Sequence, residues 1–216
     1  MLTYDQNRIL VIRSMHTVEH NHRQAILDAA DRMFLRHGYR RTTIEDIARD
    51  AGIGKGTVYL HFSRKEEIGS AWFKQWHERI LVAMQSKSAL MPNSREKVQA
   101  ALHQRVLCRY DALEKWDMSI LEIVDSVKPL VVAHRAEFLR DEADFLAELL
   151  AVGVDNGAFR NIDPERVSES MLIATNGLLP YTVRPEEIGR RDVVERQTDE
   201  LIELLLQAID PPRRIS

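Results

Sequence analysis

Cysteine occurs once in these 216 residues, at Cys108, so no internal disulfide can hold the chain together. That usage fits a reducing compartment, and a cytoplasmic location is the expectation. Nine glycines and seven prolines are few for this length, which argues against turn-rich β architecture. Long apolar runs are missing too. The run Ile9-Leu10-Val11-Ile12 is too short for a signal-peptide core, and no stretch approaches the roughly 20 residues of a membrane span. No membrane is expected as a partner. Neither charge sign dominates, since 30 Lys/Arg against 33 Asp/Glu leave a net −3.

The balance hides an asymmetry. Residues 1–66 hold 11 Lys/Arg against 8 Asp/Glu, and the remainder holds 19 against 25. A basic end on an acidic body would approach a polyanion end-on.

What is present is helical periodicity. Residues 1–20 show no clear amphipathic pattern and read as a mobile arm carrying Arg8 and Arg13; Met15 offers an alternative start, and whether residues 1–14 belong to the native protein stays open. A helix is expected from His22 to His37, with Ala25, Ile26, Ala29, Ala30, Met33 and Phe34 on one face and Gly38 as a candidate C-cap. Thr42 with Glu45 forms a capping box for a second helix ending at Gly52. A short third helix covers Lys55 to His61. Ser63 with Glu66 caps a long one with Ile68, Trp72, Trp76 and Ile80 on one face. Further helices are expected from Asn93 or Ser94 to Trp116, Met118 to Val127, Pro129 to Asn156 (closed by Gly157) and Asp163-Pro164 to about Pro180. The last starts at Asp192 with Glu195 and ends at Ala208. The predicted fold is all-α, with about nine helices. Its domains are the arm 1–20, a helix-turn-helix unit 21–66 and a body 67–216.

The stretch Thr42–Phe62, TTIEDIARDAGIGKGTVYLHF, carries the function. Ala48 must be small where two helices cross, Gly52 supplies a positive φ in the turn, and Val58 anchors the second helix. This spacing builds a helix-turn-helix whose second helix reads base edges. The string GIGKGT lacks the GK[ST] ending and preceding strand of a nucleotide-binding loop. No Gly-rich cofactor loop or nucleophile elbow is found, so no cofactor and no catalytic residue are expected.

From Gln24 to Glu67 the sequence QAILDAADRMFLRHGYRRTTIEDIARDAGIGKGTVYLHFSRKEE closely resembles the amino-terminal domain of the tetracycline-repressor (TetR) family. AA, a phenylalanine, GY, TT, IA, AG, GT, Y, HF and KE follow in the family's order without gaps. The resemblance implies that Lys55, Gly56 and Thr57 enter the major groove, while Tyr59, His61, Thr43 and Lys65 hold the phosphate backbone. One position departs: where the family often has Ser or Thr this chain has Gly54, so the hydroxyl cap of the reading helix is missing.

The same resemblance implies that the later helices dimerise and enclose a small molecule. Candidate interface stripes are Met171, Ala174 and Leu178, then Val194, Leu201, Leu205 and Ala208. Pocket candidates are Trp76, His103, Tyr110, Trp116, Phe138 and Phe145. Periodicity adds a mixed polar and aromatic stripe, Val131, His134, Phe138, Glu142 and Phe145, beside an ordinary core stripe of Val132, Ala136, Leu139, Ala143, Leu146 and Leu150. His16, His20 and His22 are spaced for a metal but have no cysteine partners, so no metal is expected. The expected function is a homodimeric repressor of a near-palindromic double-stranded DNA operator, released by a partly apolar small-molecule inducer. The alternatives are a DNA-binding regulator or DNA organiser without an inducer and, further off, a helical enzyme.

Overall fold

The computed structural model describes residues 4–113, 120–180 and 190–212. Among them every regular element is a helix, as the scarcity of glycine and proline predicts. They are α1 (Tyr4–Arg41), α2 (Ile44–Asp50), α3 (Lys55–His61), α4 (Lys65–Ala89), α5 (Ser94–Leu113), α6 (Ile120–Asp155), α7 (Pro164–Asn176) and α8 (Arg191–Gln207). The chain divides into two compact units, Met1–Phe73 and Lys74–Ser216. The division lies inside α4, later than the expected 66/67 border.

In the first unit, α1 begins at Tyr4, so the expected arm is helical through residues 4–20. No glycine or proline interrupts that stretch, and nothing in it stops the helix from extending. Gly38 breaks the run at the other end with φ +78° and ψ 156°, an extended positive-φ conformation open to glycine rather than the αL cap expected of it. Ile26, Ala29, Ala30, Met33 and Phe34 are buried along α1. Phe34 meets the rings of Tyr39 and Trp72 edge-on at 5.3 and 5.2 Å, and the Trp72 indole N–H donates to Asp31 at 2.6 Å.

The capping signals were partly misplaced. The box at α2 is formed by Thr43 and Asp46 rather than Thr42 and Glu45. Thr42 is buried, and its hydroxyl is used by the Gly38 and Met33 carbonyls. Both registers satisfy the Thr-x-x-acid pattern, and burial chooses between them. At α4 it is Glu67, not Glu66, that accepts from the Ser63 amide, at 2.9 Å.

In the second unit, Asn93 caps α5, and Asp163 caps α7 with Pro164 in its first turn. The two helices expected on either side of Pro129 are one, α6, which carries that proline internally. A proline removes a single backbone donor and bends a helix without having to start a new one. Helix α8 starts a residue early, with Arg190 as its N-cap. Asp192 and Glu195 are occupied by Arg190 and Arg191 instead of closing a box.

The core gathers Val98, Ala101 and Leu102 of α5, Leu146 and Leu150 of α6, Met171 and Leu172 of α7, and Ile202 and Leu206 of α8. Gly157, at φ +75°, turns the chain out of α6, and Phe159 then folds back over Gly153. A methyl group on Gly153 would lie 2.2 Å from that ring. Gly153→Ala must therefore displace a buried aromatic, and it is expected to cost about 1–3 kcal/mol. A lower urea midpoint with an unchanged slope would show it.

Candidate nucleic-acid interface

The turn between α2 and α3 is built as the spacing of Ala48, Gly52 and Val58 requires. Gly52 has φ +68°, and its amide donates to the Arg49 carbonyl while that of Ile53 donates to Ala48. Ile47 and Val58 are fully buried, and Ala48 and Phe62 nearly so. Burial of Val58 fixes the rotation of α3. Lys55, Gly56, Tyr59 and Leu60 consequently face solvent, with Thr57 and His61 half-buried at the flank. Gly54 is the N-cap of α3 without a side-chain hydrogen bond, as its departure from the family pattern predicts. A Cβ added at Gly56 would meet nothing within 4 Å. No internal packing demands that glycine, so the space it leaves is outside the protein.

Electrostatics tune this face. The Lys55 ammonium is paired with the Glu45 carboxylate of α2 and lies 5.7 Å from the centre of the Tyr59 ring. The hydrogen bond from Lys55 holds the Glu45 carboxyl below its ordinary range and raises the lysine in return. Thr43 is exposed but closes its own capping box, donating to Asp46 at 2.6 Å. The His61 ring stands edge-on to His22 at 6.2 Å.

The matching family model, "Bacterial regulatory proteins, tetR family", covers residues 26–71. The HTH-type transcriptional repressor KstR2 of Rhodococcus jostii is 32% identical over 148 residues, which are 66% of this chain and 71% of that protein. The chain belongs to the TetR family. It is a DNA-binding transcriptional regulator, and the helix-turn-helix is the part that reads DNA. Among solved structures, a TetR-family regulator from Pectobacterium atrosepticum has a TM-score of 0.73 at 19% identity, covering 91% of this chain and 98% of that one. The regulator FadR of Bacillus subtilis, solved with stearoyl-CoA, has a TM-score of 0.63 at 20% identity, covering 86% and 98%. Both are likenesses of fold.

One residue expected to hold phosphate is engaged elsewhere. The Lys65 ammonium donates to the carbonyls of Tyr39, Arg40 and Thr42 at 3.0, 3.2 and 3.1 Å, and sits 4.8 Å from the centre of the Tyr39 ring. It uses all three donors to tie the end of α1 to the start of α4. A lysine in the KE pattern reads as a phosphate ligand because sequence does not show which carbonyls converge on it.

The pocket candidates separate into groups. Glu142 is buried between Arg105, at 2.6 Å, and Arg109 of α5. Arg105 also donates to Thr175 and Asn176 of α7, each at 2.7 Å. Phe138 stacks on His77 at 3.9 Å and on His134 at 5.5 Å, and Trp76 lies 6.0 Å from the Arg109 guanidinium. Tyr110 is buried with its hydroxyl on the Leu178 carbonyl at 3.0 Å. His103 faces Glu195 and Asp199 of α8 at 3.7 and 3.5 Å, Phe145 packs against the core, and Trp116 and the Val131 side chain lie outside the described residues. The mixed stripe thus holds an ionic cluster whose other members, His77, Arg105 and Arg109, sequence reading missed. Arg105 and Arg109 are one turn apart, which was the available signal.

Of the interface candidates, Met171 and Val194 are buried inside the unit, Leu205 and Leu178 pack against its core clusters, Ala174 and Leu201 are half-buried, and Ala208 is exposed at the C-cap of α8. The large apolar side chains these two helices expose are Ile173 and Leu204. Val132 and Ala136, expected in the core stripe, are exposed. Among the described residues no group of three metal-binding side chains converges, and no described helix is long and apolar enough to cross a membrane. The side chains of His16 and His20 lie outside the described residues.

Two outcomes are expected. Lys65→Met should lower thermal stability by about 1–2 kcal/mol but leave the salt dependence of DNA affinity unchanged. Lys55→Ala, by contrast, should reduce that log–log slope by about one unit if Lys55 meets a phosphate, and leave it nearly unchanged if Lys55 meets a base.

The ionic cluster sets a pH limit. Burial pushes the His77 imidazole down against the opposing pull of Glu142, and Arg109 and Arg105 add to the lowering, which leaves it at about 4. Burial alone would raise Glu142, but Arg109 and Arg105 hold it at about 2. Both groups are depressed relative to the unfolded chain, which therefore binds more protons as pH falls. Stability should decline from about pH 6.5 toward 4 through His77, and below about 4.5 through Glu142. Chemical denaturation of His77→Phe should show the upper part of that decline flattened.

Proposed function

We propose that the protein acts as a homodimer, repressing transcription from a near-palindromic duplex operator and releasing it when a small, partly apolar molecule binds the helical body. The observation that carries the reading is α3, a helix locked by buried Val58 with Lys55, Gly56 and Tyr59 turned outward. Thr57, His61 and the Thr43 cap complete the face that meets the DNA, with the phosphate backbone bound at its edges. A two-fold dimer would place two such helices about one DNA turn apart.

Dimerisation is supported by Ile173 and Leu204, leucine-sized side chains at 68% and 64% exposure on the two carboxy-terminal helices. Such groups favour burial against a second copy. Ligand control is supported by a concavity of about 330 Å³ bounded by Ala136, Leu139, Ala143, Leu172 and Ile173, with Arg140, Asp144 and Glu169 at its polar edge. That size and lining suit a partly apolar molecule. The stearoyl-CoA bound to the FadR fold neighbour makes a long-chain acyl-CoA the first probe. Whichever molecule lowers operator affinity must itself bind more weakly to the DNA-bound protein, by the same factor.

The test begins with duplexes that the full-length protein selects from a random-sequence library. Two protomers per site, an approximate palindrome and a steep loss of affinity with salt are expected, and Lys55→Ala or Tyr59→Ala should bind at least about tenfold more weakly. Equal binding by both variants would remove α3 from the groove. A regulator without an inducer would instead hold its operator unchanged across all added acyl-CoA and apolar ligands.

A further inference from the structure

On α3 the most exposed side chain is an apolar one. Leu60 is 84% exposed, more than any other large hydrophobic side chain in the described residues. Its position follows from the anchor. Successive residues of an α-helix turn by about 100°, so positions two before and two after a buried residue point roughly 160° away from it. With Val58 buried, those positions are Gly56 and Leu60. They lie one turn apart on the outward ridge, Gly56 without a side chain and Leu60 with a four-carbon one. Lys55 and Tyr59 flank the ridge on one side, and Thr57 and His61 on the other.

We propose that Leu60 is a specificity-determining residue that packs against the 5-methyl group of a thymine in the major groove. The inference rests on α3 being the reading helix. Phosphates and sugars offer little to a leucine, and the donors and acceptors of base edges are left unsatisfied by one. The thymine methyl is the apolar group that the major-groove edge presents. Continuity with Lys55 and Tyr59 puts Leu60 inside the DNA-facing surface rather than on a separate patch. Gly56 contributes by absence. With open space where its Cβ would be, the helix axis can approach closely enough for Leu60 to reach a base edge.

Replacing thymine by deoxyuridine removes that methyl and keeps every hydrogen-bonding group. In a duplex selected by the full-length protein, each thymine is replaced in turn and affinity measured. At one thymine position per half-site the replacement should weaken wild-type binding about three- to fivefold, the value of one buried methyl. Leu60→Ala should bind more weakly by a similar factor and be indifferent to deoxyuridine at that position. Its exposure makes a folding defect unexpected; the deoxyuridine series on the wild type tests for the methyl contact, and Leu60→Ala tests which side chain makes it.

The proposal is overturned if no thymine shows the effect while Lys55→Ala still impairs binding. It is equally overturned if Leu60→Ala keeps the full deoxyuridine penalty, because another side chain then holds the methyl. Unimpaired binding by Lys55→Ala and Tyr59→Ala would instead remove the reading helix itself, an outcome separable from the other two.

Discussion

The zero exposure of Val58 is the constraint on which the DNA-facing surface depends. A seven-residue helix has too few internal hydrogen bonds to hold its own conformation in water. It persists because one side is packed, and that packing also sets its rotational phase. Rotating α3 by a single residue position would bury a different side chain and turn another set outward. The positive φ of Gly52 and the small Ala48 are what let Val58 reach its place. Each of the three residues serves geometry, and each is needed for a different reason.

The second unit relies on a polar constraint of comparable reach. Arg105, 1% exposed, is bonded to α6 through Glu142 and to α7 through Thr175 and Asn176. Such a cluster favours one arrangement of three helices because an uncompensated guanidinium in the interior costs several kcal/mol. An apolar core tolerates sliding more readily, since hydrophobic contact is not directional. The buried ionic group therefore limits which packings the body can adopt, and it does so next to the stacked rings of His77 and Phe138.

Much of this was legible in the order of residues. Turn glycines, apolar faces and the proline after Asp163 placed most helix starts within a residue or two, because each signal is local. The helix-turn-helix was the clearest part, since Ala48, Gly52 and Val58 must coexist at fixed spacing. Register-dependent details were harder. Thr42 and Thr43 both fit a capping box, and only the burial of Thr42 separates them. Lys65 reads as a phosphate ligand until the three carbonyls around it are seen. Glu142 was placed on a mixed stripe, but its arginines lie more than thirty positions earlier, beyond the reach of periodicity. The interface stripes on α7 and α8 depend on register too: Met171 and Val194 are buried within the unit, while Ala174 and Leu201 are half-buried and Ala208 is exposed. An apolar residue at helical spacing packs inward as readily as it faces a second copy.

The Glu45–Lys55 pair shows why a charged reading helix need not bind DNA indiscriminately. Each partner is about half-exposed, so solvent screens their attraction and leaves it weak. A phosphate approaching Lys55 must still displace a carboxylate already in place, and must also approach that carboxylate's own negative charge. A guanine edge accepts from the lysine without bringing a full negative charge, and a neighbouring cytosine amine can donate to Glu45. With Lys55 in the groove as proposed, the pair would subtract from binding to any backbone and subtract less where the bases suit it. Specificity would then gain from a residue that weakens the electrostatic attraction, a way for a protein of modest net charge to discriminate among duplexes that all present the same phosphates.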